Sequence, residues 1–263
     1  MRIWQAIILG AIQGFTEFLP VSSSGHLLLI ERWIGVNTGG GLFFDIMLHT
    51  GTLVPVFIVF NKSIKGLFVK PYKTLLYLIA ATLPAALAGF LFQDKIEYLY
   101  KGGTLLSAIL LAVSFLFTAI ELFFAEKISQ KNKNALPLSV KSSIIMGVFQ
   151  GFAVIPGLSR SGTVITGGAF AKLENGKNAE FAFLMSIPVI LGAAAVSGVK
   201  IVSRGATVET VPTLFGVITA AVSGYIAINV MLNAVKKAKY GRFSVYLILL
   251  AVASVLTKVL FGV

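Results

Sequence analysis

The stretch EFLPVSSSGH, residues 17–26, places Glu17, Ser22, Ser23, Ser24 and His26 within ten positions, in otherwise apolar surroundings. Gln13 precedes Glu17 by four residues, so the two share a face of any helix that carries them. A second stretch, PGLSRSGTVITGG at 156–168, centres on Arg160, with Ser159, Ser161, Gly162 and Thr163 around it. An arginine offers a planar fork of donors that matches phosphate or carboxylate oxygens. Serines before a helix start can cap it, and the free N–H groups there attract anions. These parts suit phosphoryl transfer: a cation to neutralise oxygens, a nucleophile to attack in line, and a group that moves protons. A plainer reading pairs Arg160 with Glu17 and lets the serines merely cap helices. Capping accounts for one or two hydroxyls, but not for Glu17 or His26.

Other polar residues carry weaker signals. Asp45 and His49 lie at i and i+4, which suits an accessory metal or substrate contact as well as capping at a membrane interface. Glu180 reads as a helix-start charge, and Glu121 and Glu126 as interfacial residues near a helix end. The chain has no cysteine and only two histidines, which excludes thiolate chemistry and a His-rich metal cage.

The elements that must position these groups are membrane helices. Of the 263 residues, 57% are hydrophobic and 12% charged, half the charge of ordinary soluble domains. Mean hydropathy is +0.91. Apolar runs at 75–93, 104–124, 179–199, 211–234 and 244–262 each approach the roughly 20 residues that a spanning helix needs. The net charge of +12 gathers in three loops, around Lys62–Lys73, Lys127–Lys141 and Lys236–Arg242, which places those loops in the cytoplasm and removes the case for nucleic acid. The segment from Asp94 to Lys101 and the loop at position 38 then face outward, and 43–60 completes six spans. Segments 1–36 and 142–174 must each begin and end on one side, the first outside and the second inside. Both are broken by Pro, Gly and Ser, so both are expected as re-entrant helical hairpins.

GAIQGF (10–15) recurs as GVFQGF (147–152), and FDIML (44–48) has a weaker echo in AEFAFL (179–184). With hairpins entering from opposite faces, this is an inverted-topology repeat whose site lies where the hairpin tips meet. The expected fold class is therefore all-α: a polytopic membrane protein with six spanning helices and two re-entrant hairpins. It forms one membrane domain over 1–263, with pseudo-repeats 1–124 and 142–263 joined by a cytoplasmic loop, 125–141.

QGFTEFLPVSSSGH and PGLSRSGTVITGG resemble the two signature motifs of the undecaprenyl-diphosphate phosphatases, the bacitracin-resistance family. The resemblance runs through Gln13, Glu17, Pro20, Ser23 and His26, and then through the Pro-Gly-x-Ser-Arg-Ser pattern. It implies hydrolysis of a C55 isoprenoid diphosphate to the monophosphate carrier of cell-wall synthesis. It also implies a bacterial plasma (inner) membrane location, an outward-facing site, and a divalent cation, Mg²⁺ or Ca²⁺. By the same resemblance, Arg160 grips the diphosphate, and Glu17 with Gln13 organises metal or water. Ser23 or His26 is nucleophile or proton-transfer group, and Ser22, Ser24, Ser159, Ser161, Gly162 and Thr163 line the phosphate. The implied partners are that lipid and the surrounding membrane lipids, with a homodimer left open. One departure is Val164, where the family usually has Thr; Thr163 stands one residue earlier, rotated by about 100° on a helix. A phosphatidic-acid-phosphatase-type enzyme fits poorly, because no histidine follows Arg160. A lipid-phosphate transporter using the same anion site is the main alternative.

Overall fold

Hydrocarbon offers no partner to a backbone N–H or C=O, so apolar runs of this length satisfy themselves as helices. The computed structural model describes residues 1–36, 42–100, 103–204 and 209–262, and the described residues form twelve helices. No strand occurs among them beyond one isolated bridge between Leu136 and Leu173. Position 38 and Lys101 lie outside the described residues. In chain order the helices are α1 (Ile3–Phe18), α2 (Ser23–Trp33), α3 (Leu42–Val59), α4 (Asn61–Leu67), α5 (Lys73–Tyr100) and α6 (Leu105–Lys131). They continue with α7 (Val140–Phe152), α8 (Arg160–Phe170), α9 (Asn175–Leu184), α10 (Ser186–Arg204), α11 (Thr210–Lys236) and α12 (Phe243–Phe261).

The chain is an all-α, multi-pass membrane protein. Five segments are long and apolar enough to cross a bilayer, and α3 with α4, bent by 88° at Phe60, makes a sixth candidate. One of the five runs from α9 into α10 across a break at Met185. The first and seventh helices, at 16 and 13 residues, reach only about 24 and 20 Å at 1.5 Å per residue, short of the roughly 30 Å core.

Contacts between loops group the ends of the bundle. Ser63 donates to Glu180 Oε1 at 2.5 Å, Lys177 reaches Glu180 Oε2 at 3.0 Å, and Gln130 donates to the Ala238 carbonyl at 2.9 Å. Asn132 donates to the Lys172 carbonyl at 3.0 Å, and Glu126 accepts from the Gly241 N–H at 2.6 Å. The three basic loops therefore share one end. Tyr240, buried there between α11 and α12, shares its hydroxyl with Ser129 at 2.9 Å, and burial pushes its phenol up to about 12. At the opposite end the N-terminal amine pairs with Glu209 at 2.7 Å, and Arg32 lies 3.5 Å from the Tyr100 carbonyl.

The short helices are held by small residues. On α1, Gly10 lies against the Gly216 carbonyl of α11, and Gly14 against the Ala220 carbonyl and the Ser223 hydroxyl. On α7, Gly147 lies against the Ala81 carbonyl of α5. In the GAIQGF and GVFQGF motifs alike, the first glycine lets a short helix approach a long neighbour at backbone distance.

Glu121 corrects the sequence expectation. It is not an interfacial residue, because α6 continues to Lys131 and leaves Glu121 ten residues inside. It is 8% exposed, and its Oε1 has no partner among the described residues.

Candidate active site

Proline and the residue before it set the first hairpin. Leu19 takes an extended conformation (φ −68°, ψ 145°) because Pro20 disfavours the helical region there, and α1 stops at Phe18. Ser22 then caps α2, its Oγ accepting from the Gly25 N–H at 3.3 Å. The helix begins at Ser23, directly after that cap. In the second hairpin α7 ends at Phe152, and Gly157 turns the chain at φ +91°, where a side chain would be strained. Ser159 caps α8 by accepting from the Gly162 N–H at 3.2 Å, and its own N–H donates to Thr118 on α6 at 3.2 Å.

The two tips touch. Ser161 donates to the Leu19 carbonyl at 3.2 Å, and Gly25 and Gly162 pack against Gly157 and Pro20 respectively. Between the tips sits Glu17, 5% exposed. Its Oε1 pairs with Arg160 Nη2. Its Oε2 accepts from Ser23 Oγ at 2.7 Å and from Gln13 Nε2 at 3.0 Å. The same Gln13 Nε2 lies 2.7 Å from His49 Nδ1, which sits 3.2 Å from Glu17 Oε2. Four elements, α1, α2, α3 and α8, thus converge on one carboxylate.

Two valences in this cluster are open. Arg160 Nη1 is a buried donor, and Gln13 Oε1 a buried acceptor, each without a partner among the described residues. Such groups cost energy unless satisfied. The Arg160–Glu17 pair of the plainer reading exists, yet it uses only part of the guanidinium fork.

The remaining candidates are placed differently. Thr163 spends its hydroxyl on its own helix, donating to the Ser159 and Arg160 carbonyls at 2.7 and 3.1 Å. Ser22 and Ser24 lie 3.4 Å apart through their hydroxyls, and Ser159 and Ser161 3.2 Å apart, around the two helix starts. Asp45 and His49 part company: His49 turns to Glu17, whereas Asp45 meets Glu31 of α2. His26 makes no hydrogen bond to the Glu17 cluster. Its Nδ1 lies 2.7 Å from the Ser22 carbonyl and its Nε2 2.6 Å from the Tyr246 hydroxyl on α12. Tyr246 and Thr118 escaped the sequence reading, because a single tyrosine or threonine in an apolar run carries no signal of its own.

No group of three His, Cys, Asp or Glu side chains occurs among the described residues. The described residues therefore form no preformed cage of such side chains. A hard divalent cation held by one carboxylate and by substrate phosphates needs fewer ligands. Glu17 and the unpartnered Gln13 Oε1 supply oxygens of that kind, so the residues fit such an ion.

The family of the bacitracin resistance protein BacA matches residues 6–253. The chain is 40% identical to an undecaprenyl-diphosphatase of Carboxydothermus hydrogenoformans, covering 96% of each chain. It is 39% identical to one of Caldicellulosiruptor bescii, over 95% of this chain and 96% of that one. Against one of Methanobrevibacter smithii it is 37% identical, over 94% of each.

Proposed function

The chain belongs to the bacitracin resistance protein BacA family, and on that premise we propose how the cluster at its hairpin tips works. The protein is a membrane phosphatase that hydrolyses undecaprenyl diphosphate to undecaprenyl phosphate and inorganic phosphate, the reaction that returns the lipid carrier to cell-wall polymer synthesis. The transporter alternative is not favoured, since these relatives bear a hydrolase name.

The observation that carries the proposal is the open Nη1 of Arg160 beside a Ser23 hydroxyl already bonded to Glu17 at 2.7 Å. Arg160 binds the terminal phosphate through that free edge of its fork and neutralises its oxygens. The N–H groups opening α2 and α8 add donors around it. Ser23 is the nucleophile and Glu17 its base. The Ser23 Oγ–phosphorus bond forms as the bridging P–O bond breaks, the Ser23 proton passes to Glu17, and undecaprenyl monophosphate leaves. Glu17 yields that proton to the departing phosphate. It then takes one from a water that attacks the phosphoserine, and returns it to Ser23 as inorganic phosphate is freed. His49 and Gln13 hold the carboxylate in place during both steps.

Glu17 and Gln13 would hold a divalent cation, Mg²⁺ or Ca²⁺, whose contribution is charge neutralisation on the diphosphate oxygens. The site opens to the outward face of the plasma membrane, a placement supported by the basic residues collected at the opposite end. The test is phosphate release from undecaprenyl diphosphate by purified protein in detergent with Mg²⁺. No release by the wild type, or full release by Arg160→Ala, would overturn this function.

A further inference from the structure

Tyr246 stands outside the Glu17–Arg160 cluster, on the last helix, 220 residues from the histidine it touches. We infer that Tyr246 is a positioning residue that sets the Ser23 hydroxyl on Glu17, acting through His26 and the backbone of Ser22. For its activity arm this inference rests on the hydrolase reading above.

A carbonyl oxygen can only accept, so His26 Nδ1, 2.7 Å from the Ser22 carbonyl, carries a ring proton. His26 is 6% exposed, and no carboxylate among the described residues bonds to it. An uncompensated cation there would be costly, so the ring is neutral and Nε2 holds a lone pair. The Tyr246 hydroxyl, 2.6 Å away, therefore donates to Nε2. The Tyr246 ring runs nearly parallel to the imidazole (5.6 Å between centroids, 11°), and Phe115 packs against it at a steep angle (6.0 Å, 70°). Both nitrogens are thus engaged.

What this fixed ring holds is a strained turn. Ser22 sits at φ 69°, ψ 97°, outside the regions that a residue with a Cβ ordinarily adopts. Its carbonyl takes the His26 backbone N–H at 3.2 Å as well as the ring N–H, and its hydroxyl takes the Gly25 N–H. The next residue is Ser23. A ring released by Tyr246 no longer aims its N–H at the Ser22 carbonyl, and the turn loses the bond that opposes its relaxation. Packing of α12 does not depend on this hydroxyl: Tyr246 is 44% exposed, and the buried residues of that helix are Ser244, Leu247, Ala251 and Ser254.

The experiment is Tyr246→Phe, which keeps the ring and removes one oxygen. Phosphate release should show kcat lowered roughly 10- to 100-fold, with KM and the melting temperature in detergent at wild-type values. A second readout needs no activity. The chain has two histidines, so ¹⁵N-histidine labelling, with His26→Asn for assignment, reports the ring directly. The wild type should show His26 protonated at Nδ1 with Nε2 as acceptor, and Tyr246→Phe should move the Nε2 signal. Wild-type kcat in Tyr246→Phe, a wild-type ring protonated at Nε2 alone, or an Nε2 signal unmoved by the substitution would each overturn the inference. A wild-type protein that releases no phosphate while its histidine signals behave as stated would instead sink the hydrolase reading.

Discussion

The Ser23 hydroxyl, in the first turn of α2, donates to Glu17 Oε2 at 2.7 Å across the break of the first hairpin. Among the described residues, only that hydroxyl joins a base already held on its other oxygen by Arg160. His26, the competing nucleophile, has Nδ1 bonded to the Ser22 carbonyl and Nε2 to Tyr246. Ser23→Ala should therefore lower kcat by about 10³-fold or more. Acid-quenched wild-type protein should carry phosphate on Ser23, detectable by mass spectrometry. Phosphate recovered on His26 instead would reverse the two roles.

Removing Arg160 should harm folding as well as chemistry. The Glu17 side chain is 3% exposed and Arg160 19%, so Arg160→Ala strands a buried carboxylate. Breaking a buried pair from one side costs about 3–5 kcal/mol. Arg160→Ala should thus be inactive and melt well below the wild type. The Glu17→Leu/Arg160→Met double substitution should be equally inactive but recover most of the melting temperature. A single Arg160→Ala protein with wild-type stability would show that the pair bears no structural load.

Much of this architecture is legible in the sequence, and the reasons are local. Pro20 and the glycine-serine breaks mark the hairpins because Pro and Gly act on their own neighbours, whatever the tertiary context. The basic loops mark one end because the charge asymmetry is a property of composition. What was illegible depended on partners far along the chain. Glu121 read as interfacial because hydropathy falls after residue 124, although α6 continues to Lys131 and buries it. Asp45 and His49 read as one pair, but α1 and α2 present different partners to them, Glu17 to one and Glu31 to the other. The link from His26 to Tyr246 spans 220 residues, and nothing in either motif announces it. Gln150 corresponds to Gln13 in the sequence repeat, yet Val154 stands where the first half has Glu17.

Divalent cations should be required through Gln13. Chelation should abolish phosphate release, and added Mg²⁺ or Ca²⁺ should restore it. Gln13→Leu removes the unpartnered Oε1 and also the amide nitrogen that donates to Glu17 and meets His49. Titration of that variant should show half-maximal activity at a higher Mg²⁺ concentration than in wild type, on the order of tenfold. An unchanged titration midpoint would remove Gln13 from the metal's surroundings.

Helix approach predicts which glycines are replaceable. A Cβ on Gly10 or Gly147 would collide with the backbone carbonyl of Gly216 or Ala81, whereas one on Gly66 would meet nothing within 4 Å. Alanine at position 10 or 147 should destabilise by about 1–3 kcal/mol through overpacking, read as a lower melting temperature in detergent. Gly66→Ala should melt like the wild type. Equal melting of all three variants would mean that the short helices are not held at backbone distance.

Topology gives the last test, and the chain is ready for it because it contains no cysteine. The three basic loops share one end through contacts such as Gln130 with Ala238 and Ser63 with Glu180. That end belongs in the cytoplasm if the positive-inside bias sets orientation. Tyr98, 77% exposed and beyond the apolar window of α5 that ends at Gln93, belongs to the other end. In intact cells Tyr98→Cys should react with a membrane-impermeant maleimide, and Lys133→Cys only after permeabilisation. Phosphate release should survive in both variants, since neither residue touches the hairpin tips. The opposite labelling pattern would turn the protein over. The hairpin that carries Glu17 and Ser23 would then enter from the cytoplasm, and a lipid diphosphate would have to be presented from that side.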